Sequence, residues 1–141
     1  MPDRFECGTV NTMGIMGLGA GIRYITARGI ETIRRHGMRL WHQIHAELSK
    51  MPSIELYNSF GIEYQLPVLS FNIKGMHSED ITAQLSEAGF ALRGGLHCAP
   101  LAHEKMGTLN RGAARISIGA FNTSAEAALL CRAIEKIAVY A

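Results

Sequence analysis

Cysteine is scarce in this chain and poorly spaced for pairing: Cys7, Cys98 and Cys131 are an odd set with no Cys-x-x-Cys interval. That argues against a disulfide framework or a four-thiolate zinc site, and it predicts a reducing, cytoplasmic setting. An excess of charge of one sign is also lacking. Fourteen Lys and Arg stand against twelve Asp and Glu, a formal charge of +2. No nucleic-acid-binding stripe and no acidic tail is therefore expected, and partners must be read from local sites. No apolar stretch is long enough to span a bilayer, which argues against a membrane role, and the opening Met1 to Glu6, with Asp3, Arg4 and Glu6, is unlike a signal peptide. Repeats and low-complexity segments are absent. What is present is 141 residues, 48% of them hydrophobic, which reads as one domain over residues 1–141 with enough chain to bury a core.

Periodicity places the elements. The small and apolar run Gly14 to Ile22 starts a closely packed helix that Gly29 ends. Ile33, Leu40, Trp41, Ile44 and Leu48 share one face of a second helix, stopped by Pro52. Gly37 inside it costs about 1 kcal/mol relative to Ala, so tertiary packing has to hold that turn. Ile54 to Tyr57 and Val68 to Ile73 read as strands around a turn-like segment, with Pro67 at a strand start or edge. Ser78, Glu79 and Asp80 begin a helix carrying Ile81 and Leu85 inward, and Gly89 closes it in the left-handed cap position. Phe90 to Arg93 and Arg115 to Ile118 complete the strands. Thr123 and Glu126 form a capping box before a helix with a stripe of Leu129, Leu130, Ala133, Ile134 and Ile137. The fold class expected is α+β, a two-layer sandwich in which helices cover a small, mainly antiparallel sheet.

One loop carries chemistry. Arg93-Gly94-Gly95-Leu96-His97-Cys98-Ala99-Pro100-Leu101-Ala102-His103 sets a thiol on glycine-rich backbone between basic groups. Cationic neighbours favour the thiolate, which is the nucleophile, and flexible backbone leaves the sulfur accessible. Cys7 and Cys131 have no such setting and are read as packing residues. His97, Cys98 and His103 as zinc ligands would lack a fourth partner, so no metal is expected. The cluster Gly14, Gly17, Gly19 and Gly21 lacks the preceding strand of a dinucleotide fold and the Gly-Lys-Ser/Thr of a phosphate loop. His36, His42 and His45 lie on the second helix, with His42 and His45 read as solvated or rim residues. Gly8 and Thr9 offer bare backbone and a hydroxyl that suit a phosphate, or simply a turn. Arg115 stands in an otherwise apolar and small strand, a place that suits bidentate capture of a carboxylate or a surface salt bridge.

Taken together, these segments resemble the C-terminal part of class V aminotransferase-like enzymes, the cysteine desulfurases in particular. Arg4-Phe5-Glu6-Cys7-Gly8-Thr9-Val10-Asn11-Thr12 resembles the family's R-[FY]-E-x-G-T-x-N signature, and Gly14 to Gly21 the glycine-rich helix after it. Arg93 to His103 resembles the cysteine loop, and Arg115 to Thr123 the R-x-S-x-x-x-[YF]-N-T ending. The resemblance implies the C-terminal small domain of a fold type I enzyme using pyridoxal 5'-phosphate. The cofactor condenses with L-cysteine, a protein thiolate takes the sulfur as a persulfide, and alanine leaves. By the same resemblance Cys98 is the nucleophile and Arg115 holds the substrate carboxylate. Arg93 and His97 stand near the substrate, and Gly8 and Thr9 contact the cofactor phosphate across a homodimer interface. A sulfur-acceptor protein is the further partner.

The family's Schiff-base lysine, its aspartate on the pyridine nitrogen and its ring-stacking histidine precede the first of these motifs, where this chain begins. None of Lys50, Lys74, Lys105 and Lys136 has the required context, so the chain alone is expected to be inactive. Met13 and Gly37 also depart from the residues common in the family. Alternative readings are a stand-alone sulfur-carrier or interaction module, a truncated piece of a longer chain, and a domain of another class V transaminase or a selenocysteine lyase.

Overall fold

A computed structural model describes residues 8–57 and 65–139. The motif residues Arg4, Phe5, Glu6 and Cys7 and the turn-like segment between the first two strands lie outside them. The chain divides between Ile33 and Arg34 into two compact units.

In the first unit, α1 runs Thr12–Arg28. Asn11 caps it by accepting the Gly14 amide at 2.9 Å, which satisfies one of the free N–H groups of the first turn. Gly29, at φ 80, ends it as expected, its amide donating to the Ile25 carbonyl. None of the residues of α1 is buried, and a Cβ on Gly17 or Gly21 would meet open space, so the close packing expected of this helix is not seen among the described residues.

In the second unit the sheet is built from β1 (Ile54–Leu56), β2 (Val68–Ile73) and β3 (Ala114–Ser117), antiparallel in that order. Pairing sets Phe71 opposite Ala114 and Leu69 opposite Ile116. The period of two then turns Leu69, Phe71, Ile73, Ala114 and Ile116 to one face, all buried. Against that face pack α2 (Ile30–Leu48) through Trp41, Ile44 and Leu48, α3 (Ser78–Glu87) through Ile81 and Leu85, and α5 (Ser124–Val139) through Leu130, Cys131 and Ile134. The expected α+β class is what forms. Trp41 is the anchor of α2, its indole N–H donating to the Val68 carbonyl at 2.9 Å.

Gly37 has a packing reason. A Cβ there would stand 2.9 Å from the Pro67 ring, so helix and strand approach more closely than any side chain allows. The end of α3 is a Schellman motif. Gly89 has φ 88, its amide reaches the Ser86 carbonyl, the Phe90 amide reaches that of Leu85, and Phe90 packs on the core. The Thr123–Glu126 capping box forms reciprocally at 2.7 and 3.2 Å, and the Thr123 backbone bond holds the Glu126 carboxyl below its usual range.

Four expectations in the second unit need correction. Phe90 to Arg93 is not a strand: only Arg93 bridges to Arg115. Leu92 and Phe90 instead turn toward the core, led there by the Schellman cap. The cysteine loop continues into a short helix, α4 (Pro100–Lys105), with Pro100 in its first turn, where its missing N–H costs nothing. His45 is buried rather than solvated, stacked on Trp41 with ring centroids 4.7 Å apart and bonded to Ser49. Leu129 is exposed, because α5 turns Ala127, Leu130, Cys131 and Ile134 to the sheet instead.

Candidate functional site

The site lies on the face of the sheet opposite the core. Arg115 is in β3, with Ser70 as its register partner on β2. On the other side, Arg93 and Arg115 exchange backbone hydrogen bonds of 2.8 and 3.5 Å. Residues directly opposed in an antiparallel pair project to the same side, so two guanidinium-bearing residues are placed together. Like charges so opposed destabilise a sheet unless something negative joins them. Among the described residues no carboxylate pairs with Arg115, and its Nε is buried without a hydrogen-bond partner. Among the described residues the salt-bridge reading of Arg115 thus finds no partner.

From Arg93 the chain enters a tightly held loop. The Gly95 amide donates to the Ser78 hydroxyl at 3.0 Å, and the Gly95 carbonyl accepts from the Ala113 amide at 3.1 Å. His97 then donates from Nε2 to the Ala113 carbonyl at 2.9 Å. Because a carbonyl only accepts, this bond fixes the neutral ring as the Nε2–H tautomer and leaves Nδ1 as an acceptor. That Nδ1 is buried and unpartnered. Leu96 to Ala99 form a turn closed by the Ala99 amide on the Leu96 carbonyl at 2.9 Å. Its central residues, His97 and Cys98, both have positive φ, 51 and 58. Such paired left-handed residues are the signature of a primed turn, normally filled by Asn and Gly. Holding His and Cys there costs on the order of 1 kcal/mol each. The turn presents the Cys98 side chain in an exposed position.

Burial lowers the His97 pKa from 6.5, the Ala113 bond opposes this, and the charges of Arg115, His103 and Arg93 lower it further. The sign of the stability effect follows. Below 6.5 the unfolded chain binds a proton that the folded ring resists, so stability present above that pH is lost as pH falls through the folded pKa. We expect the thermal midpoint to fall between about pH 7 and about pH 5, and to fall less in His97→Gln, whose amide keeps a donor for Ala113. An equal slope in both chains would remove His97 as the cause.

Behind the loop, His103 is buried with its ring 6.0 Å from that of His97, and its Nδ1 meets the Thr108 hydroxyl at 2.8 Å. Among the described residues no group of three metal-ligating side chains assembles. Next to it, an open cavity of roughly 190 Å³ is lined by Tyr57, Ser70, His103, Met106 and Thr108. The 111–113 turn, on which the loop hangs, is itself tied down by residues that the motifs did not reveal. Asn72, fully buried, donates to the Gly112 carbonyl at 2.8 Å and to the Tyr57 hydroxyl at 3.1 Å. Arg111 bonds both Glu55 and that hydroxyl, which in turn donates to Glu55. Burial is the main cause that raises the Tyr57 pKa.

The fold thus brings Arg93, His97 and Arg115 together and sets Cys98 beside His97 on the same turn. Gly8 and Thr9 belong to the first unit, where both are exposed. Gly8 has φ 92, with open space where a side chain would stand.

The chain is similar to known proteins over nearly its whole length. A probable cysteine desulfurase of Methanothermobacter thermautotrophicus is 41% identical over 148 residues, covering 97% of this chain and 34% of that protein. A cysteine desulfurase of Escherichia coli O157:H7 is 37% identical over 138 residues, covering 96% and 32%. The apo structure of a cysteine desulfurase from Thermococcus onnurineus NA1 superposes with a TM-score of 0.91 at 31% identity, covering 99% of this chain and 34% of that one. The chain spans about a third of the length of the curated relatives it matches. The family model for class-V aminotransferases matches residues 1–130, and with the cysteine turn and its two facing arginines in place, the chain belongs to the class-V aminotransferase family.

Proposed function

We propose that this chain is the C-terminal part of a cysteine desulfurase that uses pyridoxal 5'-phosphate. The observation that carries the reading is the pairing of Arg93 with Arg115 across one bridge, beside an exposed Cys98 on a strained turn. In this reading the orphaned Nε of Arg115 and its guanidinium hold the substrate carboxylate. Nδ1 of His97 accepts from a donor on the same substrate, so an amino acid suits the pair better than a purely anionic ligand. Cys98 Sγ forms the new S–S bond as the C–S bond of L-cysteine breaks. The carbon keeps the electron pair and takes a proton, giving alanine, while the persulfide stays on Cys98.

The cofactor, when bound, supplies an electron sink for the bonds around the substrate carbon. The residues present fit part of it. Gly8, with positive φ and no side chain, and the exposed Thr9 suit its phosphate, whereas Lys50, Lys74, Lys105 and Lys136 are all exposed surface residues. The covalent anchor therefore has to come from residues outside this sequence, and the reading carries with it a homodimer, a sulfur-acceptor protein and a cytoplasmic setting. The scarcity of cysteine supports the last of these.

The test is complementation. Supplied with pyridoxal phosphate and L-cysteine alone, the chain should release no alanine. Co-expressed with the remaining two thirds of the Methanothermobacter relative, it should release alanine, and Arg115→Ala should abolish that release. Alanine from the isolated chain, or release indifferent to Arg115, would overturn the proposal.

A further inference from the structure

We propose that Ser78 is a positioning residue for Cys98, setting the thiol's place through the Gly95 amide; this rests on the reading of Cys98 as the sulfur acceptor. Ser78 opens α3, where its type and the acids after it suggest an N-cap. It does not serve as one. The N-cap position is taken by His77, which makes no side-chain cap bond, and Ser78 is fully buried. Its hydroxyl instead accepts the Gly95 amide at 3.0 Å, while its own amide donates to the Arg111 carbonyl at 3.1 Å. One residue thus ties together the helix, the cysteine loop and the turn before β3.

The surroundings are built for that contact. A Cβ on Gly112 would stand 2.6 Å from the Ser78 hydroxyl and 2.7 Å from the Gly95 backbone, and Gly112 has φ 62. A Cβ on Gly94 would stand 2.6 Å from the Ser78 carbonyl oxygen and 2.8 Å from the Thr82 hydroxyl. Two glycines therefore let the loop and turn close on Ser78 at backbone distance. From Gly95 the chain reaches Cys98 in three residues. Two restraints hold that span, the Ala113 amide on the Gly95 carbonyl and the His97 ring on the Ala113 carbonyl. Both engage the strand entry that Ser78 holds through Arg111. Removing the hydroxyl frees Gly95, and the left-handed pair His97–Cys98 then relaxes toward commoner backbone angles.

The test compares Ser78→Ala, which deletes the acceptor without adding volume, with Ile134→Val, which loosens the core packed on the other face of the sheet. In the unaltered 141-residue chain, NMR hydrogen exchange should show the Gly95 amide protected like those of the β2–β3 ladder. In Ser78→Ala the Gly95 amide and the His97 ring N–H should exchange at least about tenfold faster relative to β2 and α5. The midpoint of Cys98 alkylation against pH, followed on its own peptide, should also shift. Ile134→Val should leave both the exchange ratio and the midpoint unchanged. Free-loop exchange at Gly95 in the unaltered chain, uniform acceleration in Ser78→Ala, or an unmoved Cys98 profile would each overturn the proposal. These readouts need no sulfur chemistry, so a Cys98 that never accepts sulfur would defeat the desulfurase reading while leaving the exchange result standing.

Discussion

We expect Cys98→Ser to abolish sulfur acceptance while leaving the fold intact. Given L-cysteine and an intact desulfurase as sulfur donor, the unaltered chain should gain a sulfur atom on the peptide bearing Cys98, and the serine variant should lose that gain by a factor of about 10³ or more. The size follows from chemistry: a serine hydroxyl near neutral pH offers almost no anion and makes no persulfide. The small structural effect follows from position. Cys98 is exposed at a turn, and serine matches it in size and carries the same cost at positive φ, so this exchange should stay within about 0.5 kcal/mol of the parent. Cys131→Ser provides the converse. Its thiol is buried under α5 and burial pushes it up to about 11, so acceptance should persist without it. Mass spectrometry of the separated peptides decides the matter, and undiminished sulfur gain in Cys98→Ser would remove Cys98 from the reaction.

Trp41→Ala has the largest effect on stability, about 3–5 kcal/mol. The indole is almost wholly buried, and its N–H is the partner of the Val68 carbonyl at the start of β2. Its truncation opens a cavity between α2 and the sheet, leaves that carbonyl with only the longer bond from the Gln65 side-chain amide, at 3.2 Å, and uncovers the stacked face of His45. Against a typical total of roughly 5–15 kcal/mol this is a large fraction. Trp41→Phe separates the parts, because it keeps most of the buried area and loses only the donor, and should cost about 1–2 kcal/mol. Urea denaturation followed by circular dichroism measures both. A midpoint for Trp41→Ala within about 1 kcal/mol of the parent would show that α2 is not held to the sheet in this way.

Most of the architecture is legible in the residues because the patterns that build it are local. The alternation in Val68 to Ile73, the Thr123–Glu126 box and the Gly89 cap each act within a few positions, and each forms as expected. The core also follows from periodicity, down to the face of α2 bearing Leu40, Trp41, Ile44 and Leu48. What escapes is set by long-range partners. Phe90 to Arg93 has strand-forming residues, yet only Arg93 finds a backbone partner. His45 looks polar and solvated until Trp41 covers it. Pro100 could have marked the short helix α4, since proline favours a first turn.

The site divides in the same way. Arg93, His97, Cys98 and Arg115 are visible as motif residues, and Arg115 also as a guanidinium out of place in its strand. Ser78 is hidden, because a serine at a helix start has a sufficient local explanation that happens not to apply. Asn72, by contrast, left a trace: an amide amid Leu69, Phe71 and Ile73 is hard to justify in a buried strand without a specific partner. That partner, the Gly112 carbonyl, is 40 positions away in sequence. The network from Glu55 through Tyr57 and Arg111 is likewise invisible before folding, since its members come from a strand and a distant turn.

The contrast between Cys98 and Cys131 has a practical side. One thiol projects from a surface turn and the other is sealed beneath a helix with its proton held tightly. Between these two, a maleimide dye or spin label used sparingly at neutral pH sorts itself onto Cys98. With Cys7 replaced, the loop can then be watched spectroscopically without also engineering Cys131 away.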